Sequence, residues 1–350
     1  MIFSAADFSD HERVVFFRDR VSGLRAIIAI HDTTLGPAVG GARMLPYSSE
    51  GDALADVLRL SRGMTYKSAL AGLPFGGGKA VLLGDPARDK TPELLHAFAR
   101  CVDELGGRYI VGEDMNVSVY DVREMQRYTK HVAGLIEGKH AGGDPSPFTA
   151  RGVYAGIGAA VRYRSRQDSL RAVRVAVQGV GSVGKVLCEL LHAAGAQLIV
   201  ADIDRGASED VAARLGARIV DTKTIHAEDV DVFAPCARGG VLNDVTIPEL
   251  QAPIVAGAAN NQLAEDRHGE SLLERGVLYA PDYVINAGGI INGSGEILGR
   301  YDREASLRQI ERIGQTLSHI FERSEASHES TNCIADRMAE ERLAAARAEH

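Results

Sequence analysis

An α/β protein of two domains is what the sequence predicts, and three observations predict it. Its 350 residues exceed what a single ordinary core encloses. Apolar β-branched runs alternate with stretches of helical spacing along most of the chain. Near the middle, the composition shifts to Gly138, Gly142, Gly143, Asp144, Pro145, Ser146 and Pro147, which favour turns over either regular element. The division expected from these signals is 1–134, 135–327 and a terminal helix over 328–350.

In chain order, the run Gly23 to Ile30 reads as a strand. Ser48 to Arg62 follows as a helix, with Ala53, Leu54, Val57, Leu58 and Leu60 at helical spacing. Strands over Ala80 to Leu83 and Tyr109 to Val111 flank a helix from Thr91 to Leu105. Beyond the turn-rich stretch comes a helix from Thr149 to Tyr163. A second strand series runs over Arg174 to Val177, Gln197 to Ala201, Val232 to Ala234, Ile254 to Ala256 and Val277 to Tyr279. Asp302 to Ala326 and Thr331 to Ala346 are rich in Glu, Arg, Leu and Ala, and read as helices that pack back on the chain.

Composition excludes several function classes. With 45% hydrophobic and 25% charged residues the chain is of ordinary globular type, and a net charge of -8 without a basic cluster argues against a nucleic-acid partner. The N-terminus has acids and a histidine where an export signal needs a basic start and an apolar run. No apolar run approaches the roughly 20 residues that span a bilayer. Cys101, Cys188, Cys236 and Cys333 lie far apart, with neither C-x-x-C nor H-E-x-x-H, so no metal site and no disulfide framework is expected. A cytoplasmic protein fits these features.

The most specific local signal is Val173 to Gly184, an apolar strand running into Gly179-Val180-Gly181-Ser182-Val183-Gly184 and then into a helical pattern. In G-x-G-x-x-G the first glycine makes the tight turn, the second admits a pyrophosphate to the backbone, and the third lets helix and strand pack closely. The next strand ends in Asp202, 18 residues beyond Gly184, where a carboxylate can accept hydrogen bonds from the adenosine ribose diol and would repel a 2′-phosphate. The expected cofactor is therefore NAD, in a Rossmann-type second domain.

The first domain holds two lysines in apolar, glycine-rich surroundings, in Gly63-Met64-Thr65-Tyr66-Lys67 and Leu73-Pro74-Phe75-Gly76-Gly77-Gly78-Lys79. A phosphate-loop reading of the second fails, because Leu73 stands where glycine is required and Ala80 where Ser or Thr must hold magnesium. Oxidising an amino acid needs a cation for the substrate carboxylate, a base that activates water, and a carboxylate that handles the amine proton. A lysine in a dry pocket beside another cation serves as such a base near neutral pH. Asp114, just after a predicted strand, is the carboxylate candidate.

The strings Ile30-His31-Asp32-Thr33-Thr34-Leu35-Gly36-Pro37, Gly40-Gly41-Ala42-Arg43, Gly63 to Lys67, Gly76 to Lys79, Ala258-Ala259-Asn260-Asn261-Gln262 and Pro281 to Gly289 resemble the leucine dehydrogenase branch of the Glu/Leu/Phe/Val dehydrogenase family, and the likeness runs nearly end to end. The resemblance implies a substrate-binding first domain, a Rossmann NAD-binding second domain, a cleft between them, and a homo-oligomer. It makes Lys67 the holder of the substrate carboxylate, Lys79 the base acting on water and Asp114 the acceptor of the amine proton. It also implies substrate contacts for Gly40, Met64 and Asn261. On the cofactor side it implicates Thr149, Asn260 and Asn286 near the nicotinamide, with Cys236 and Ala237 along the cofactor path. Arg43 is expected to play a structural part.

The side-chain pocket falls, by the same resemblance, on Val39, Gly112, Ile290 and Gly293. The expected reaction is reversible oxidative deamination of an apolar L-amino acid (leucine, valine or isoleucine) to its 2-oxo acid and ammonia. Two glycines among four pocket positions keep an alternative open, an aromatic substrate such as phenylalanine or tryptophan. A third reading, from another class, is a non-catalytic NAD-binding sensor.

Overall fold

A computed structural model describes residues 2–5, 7–135 and 142–349; Gly138, used above to place the boundary, lies outside them. The chain divides into two compact units, each α/β. The first comprises 1–144, 293–302 and 339–350, and the second 145–292 and 303–338. Unlike the continuous spans expected from composition, both units are built from separated segments, because the helix over Gly288–Ile297 and the terminal helix each begin in one unit and end in the other.

The first unit is a five-stranded mixed sheet of β1 (Arg13–Arg18), β2 (Arg25–Asp32), β3 (Ala38–Leu45), β4 (Gly76–Leu83) and β5 (Tyr109–Gly112), in the order β1-β2-β4-β3-β5. β1, β2 and β4 pair antiparallel, while β3 runs parallel to both β4 and β5. Its helices are α1 (Glu50–Leu70), α2 (Pro86–Asp89), α3 (Pro92–Glu104) and α4 (Val119–Met125).

β2 is apolar at successive positions because both of its faces are covered. Ile28 and Ile30 join Leu94, Phe98 and Val102 of α3, whereas Ile27 and Ala29 join Ala53, Val57 and Leu58 of α1. Ser49 caps α1 by accepting from the backbone of Asp52, and Thr91 with Pro92 starts α3 in the same manner.

The second unit carries a six-stranded parallel sheet of β6 (Arg174–Gln178), β7 (Gln197–Ala201), β8 (Arg218–Ile219), β9 (Val232–Pro235), β10 (Ile254–Val255) and β11 (Leu278–Tyr279), in the order β11-β10-β9-β6-β7-β8. The helices are α5 (Ser146–Ser165), α6 (Ser182–Ala193), α7 (Arg205–Leu215), α8 (Thr246–Glu249), α9 (His268–Glu274), α10 (Asp282–Ile285), α11 (Gly288–Ile297), α12 (Arg303–Ser327) and α13 (Thr331–Ala348). From β6 the chain moves to β7 and β8 on one side, then returns to β9, β10 and β11 on the other. This reversal opens a crevice at the carboxyl ends of β6 and β9, the place where such sheets bind ligands. Among the described residues no helix is long and apolar enough to cross a membrane, and the four cysteines are free thiols.

Candidate active site

The site in the first unit is built on β4. Its three leading glycines precede Ala80, where the strand was expected to begin, and are strand. A Cβ on Gly77 would stand 2.1 Å from the Thr65 nitrogen and 2.2 Å from its Oγ1. Only the absence of a side chain lets α1, which bears Met64 and Lys67, lie directly on the strand that bears Lys79. α1 correspondingly runs on to Leu70 rather than ending near Arg62, so Lys67 sits in its last turn.

Lys79 is 6% exposed. Its ammonium is 2.6 Å from Oδ2 of Asp114, and Nε of Arg43 donates to that same oxygen at 3.0 Å. Arg43 also reaches Asp56 at 3.2 Å, whose Oδ2 accepts from the Tyr47 hydroxyl at 2.5 Å. Asp114 is held in place by reciprocal backbone hydrogen bonds with Val117. Burial pushes its carboxyl up, but the Lys79 ammonium and the Arg43 guanidinium, by charge and hydrogen bond, hold it well below the usual carboxylate range. The result is a largely enclosed, charge-balanced chain in which a carboxylate stands within a proton's reach of a lysine. Arg43 is the residue that sequence reasoning undervalued. Its partners are 71 and 13 residues away, and only the fold brings the three together.

The other first-unit candidates lie on β3, α1, β5 and α11. Val39 and Gly40 follow each other on β3, where the Gly40 carbonyl accepts from the buried Tyr109 hydroxyl at 2.7 Å, and Met64 lies against Gly40. Gly112 ends β5, and a Cβ there would meet nothing closer than the Ala133 carbonyl at 3.5 Å. Gly293, on α11, has open space at the same point. Asn261 and Ile290, assigned to substrate by resemblance, fall in the second unit. There Asn261 adopts a left-handed conformation with φ 52°.

In the second unit Gly179 (φ 97°) turns the chain from β6 into α6, and a Cβ on Gly184 would lie 2.0 Å from the Gly179 carbonyl oxygen. Gly181 is the N-cap of α6 with no side-chain cap, and space is open around its α-carbon. The backbone N–H groups at Ser182 and Val183 therefore face outward at the positive end of a 12-residue helix. Asp202, just past β7, accepts from Val180 N at 2.7 Å through Oδ2 and from Asp204 N at 2.9 Å through Oδ1, which fixes its carboxylate beside the turn.

Cys236 follows β9 with its N–H on the Gln178 carbonyl at 2.7 Å, and Ala237 lies against Gly179. Burial pushes the Cys236 thiol up to about 12, so it stays protonated. Thr149 is in the first turn of α5, close to Gly289 of α11. The Asn286 amide donates to the Ala258 carbonyl and to Asn260 Oδ1, leaving its own Oδ1 buried with no hydrogen-bond partner among the described residues. An open cradle at a helix N-terminus together with a buried acceptor-bearing amide fits a dinucleotide that carries a carboxamide.

A backbone turn that can cradle phosphates in one unit and side chains that can exchange a proton in the other are the parts a dehydrogenase needs. Comparison with known proteins places it further. The family model for the Glu/Leu/Phe/Val dehydrogenase dimerisation domain matches residues 11–134, and that for glutamate/leucine/phenylalanine/valine dehydrogenase matches 202–349. The chain is 49% identical to a leucine dehydrogenase of Geobacillus stearothermophilus, over 98% of this chain and 93% of that one. It is also 49% identical to an L-tryptophan dehydrogenase of Nostoc punctiforme, over 98% and 96% respectively. The crystal structure of an L-tryptophan dehydrogenase from Nostoc punctiforme matches with a TM-score of 0.83 at 48% identity, covering 97% of each chain. The chain belongs to the Glu/Leu/Phe/Val dehydrogenase family, in its leucine dehydrogenase branch. It is an enzyme, an amino-acid dehydrogenase that carries out oxidative deamination with a nicotinamide cofactor.

Proposed function

We propose that the enzyme uses NAD to deaminate aliphatic L-amino acids, leucine, valine and isoleucine, reversibly to the 2-oxo acid and ammonia. The observation that carries the reading is the Lys79–Asp114 pair, with Lys79 buried in the middle of β4 and Arg43 of β3 holding the same carboxylate. Lys67 holds the substrate carboxylate, with Gly40, Met64 and Asn261 beside the substrate. Lys79 takes the proton from the water that attacks the substrate imine, and Asp114, ionised and within reach of Lys79, takes a proton from the substrate ammonium at the outset and returns it to the nitrogen that departs as ammonia. The pair then passes protons internally rather than through bulk water. Bound at Gly179 to Gly184 and along Thr149, Cys236, Ala237, Asn260 and Asn286, the nicotinamide supplies the hydride acceptor.

The choice of NAD rests on Asp202, whose carboxylate stands beside the phosphate turn and would repel a 2′-phosphate. Asp202→Ala is expected to raise KM for NAD and narrow the preference over NADP, and an unchanged ratio of the two would remove that assignment. Val39, Gly112, Ile290 and Gly293 form the side-chain pocket. A homo-oligomer fits the family description of residues 11–134 as a dimerisation domain. A reducing cytoplasm fits the free cysteines.

A second reading, an aromatic substrate, is favoured by the space left at Gly112 and Gly293. Initial rates of NADH formation with leucine, valine, isoleucine, phenylalanine and tryptophan separate the two. Higher kcat/KM on the first three supports the aliphatic pocket, and higher values on the last two mean that the glycines open it to rings.

A further inference from the structure

One carboxylate in the first unit ties together two chain segments that carry pocket positions. Glu296 lies on α11, three residues and so nearly one helical turn beyond Gly293, which puts the two on neighbouring parts of one helix face. Its Oε1 accepts from the backbone N–H of Leu135 at 3.0 Å and its Oε2 from that of Gly142 at 3.2 Å. Leu135 follows a short segment, 131–133, laid along β5. Val111 N donates to His131 O, and Ala133 N donates to Val111 O at 2.8 Å. The Ala133 carbonyl is in turn the nearest atom to the missing side chain of Gly112. The helix of Gly293 and the strand of Gly112 are thus joined through Glu296 and the 131–135 segment.

We propose that Glu296 is a positioning residue for substrate selection: its carboxylate fixes the separation between the Gly112 wall and the Gly293 wall, and thereby the size of amino-acid side chain the enzyme accepts. The inference rests on the pocket assignment made above. Two features support a strut rather than an incidental surface contact. Both carboxylate oxygens are engaged by backbone groups, which cannot swing away as side chains do. Burial raises the Glu296 carboxyl while the N–H groups of Leu135, Gly142 and Gly134 oppose the rise, so the fold keeps an acid in an unfavourable place where only these hydrogen bonds compensate it. Glutamine cannot substitute fully for it, because one of its two terminal atoms donates instead of accepting.

The test compares Glu296→Ala and the isosteric Glu296→Gln with Gly112→Ala and Gly293→Ala in the full-length enzyme. The readouts are kcat and KM for leucine, valine, phenylalanine and tryptophan, and Kd for NADH. The expected result is a change in the leucine-to-phenylalanine kcat/KM ratio on the order of fivefold or more for Glu296→Ala, carried mainly by KM, with NADH affinity unchanged and Glu296→Gln in between. A merely structural role would lower all four rates in common and leave the ratio alone, and that outcome overturns the proposal. If Glu296→Ala fails to fold, the ratio in Glu296→Gln decides. Glycine variants that shift the ratio while the Glu296 variants do not would refute the strut and leave the pocket assignment standing. An unchanged ratio in all four would remove both.

Discussion

Arg43 does for Asp114 what neither Lys79 nor the backbone can do alone. It supplies a permanent positive charge to the oxygen that the lysine also engages, so Asp114 keeps a cationic partner whichever protonation state Lys79 passes through. Truncating it removes that support while leaving the half-buried Asp56 and Asp114 less well paired. Arg43→Ala is expected to lower kcat on the order of tenfold to a hundredfold, with partial rescue by Arg43→Lys. Wild-type kcat in the alanine variant would show that Asp114 needs no help. Lys67, Lys79 and Asp114 were legible as residue types because the chemistry asks for two cations and an acid in apolar company. Arg43 was quoted in a motif and given only a structural part, since nothing along the chain announces that it will meet Asp114. The orphaned Oδ1 of Asn286 was equally invisible, because hydrogen-bond satisfaction is a property of the fold.

Among the elements, those that the sequence disguised are those built with glycine. β4 was expected to begin at Ala80 but begins at Gly76, and β3, with Gly40 and Gly41 inside it, was not expected at all. Strand propensity is low for glycine, yet here the missing side chains are what the packing requires. β1 escaped because its alternation is weak: residues such as Arg13 and Phe16 are exposed at the sheet edge. By contrast, β6, β7 and α6 were readable almost to the residue, because a buried parallel strand and a phosphate turn write themselves into local sequence.

The same geometry separates two kinds of glycine. Gly77→Ala would force a Cβ into the backbone of Thr65, and should cost about 1–3 kcal/mol or more by urea unfolding. Gly112→Ala meets only an ordinary contact at 3.5 Å and should change stability by less than about 0.5 kcal/mol while altering substrate choice. Equal losses at both positions would contradict the packing assigned to β4.

For the whole molecule, two α/β units were legible from length and alternation, but their discontinuous make-up was not, because α11 and α13 carry no break where the chain passes from one unit to the other. A consequence for stability lies under α1 of the first unit. His31, on β2, is buried with Nδ1 2.9 Å from Thr65 Oγ1, and its ring meets that of His11, also buried, edge-on at 4.8 Å. Burial, and after it the charge of His11, lowers His31 to about 4. The folded protein therefore binds this proton less readily than the unfolded chain does. Stability from a neutral His31 is complete above about pH 6.5 and is lost as pH falls toward 4, by up to about 3 kcal/mol. Denaturant unfolding at pH 7 and pH 5 should show the loss, reduced in His31→Gln; identical stabilities at the two values would contradict it.

The assignment of this chain as an amino-acid dehydrogenase working through Lys79 is tested most directly by leucine-dependent NAD reduction in the wild type and in Lys79→Ala, with NADH binding titrated alongside. The expected result is turnover in the wild type, a fall in kcat of about 100-fold or more in the variant, and the same NADH Kd in both. Turnover by Lys79→Ala at the wild-type rate would contradict it, and so would a wild-type protein that binds NADH but oxidises no amino acid.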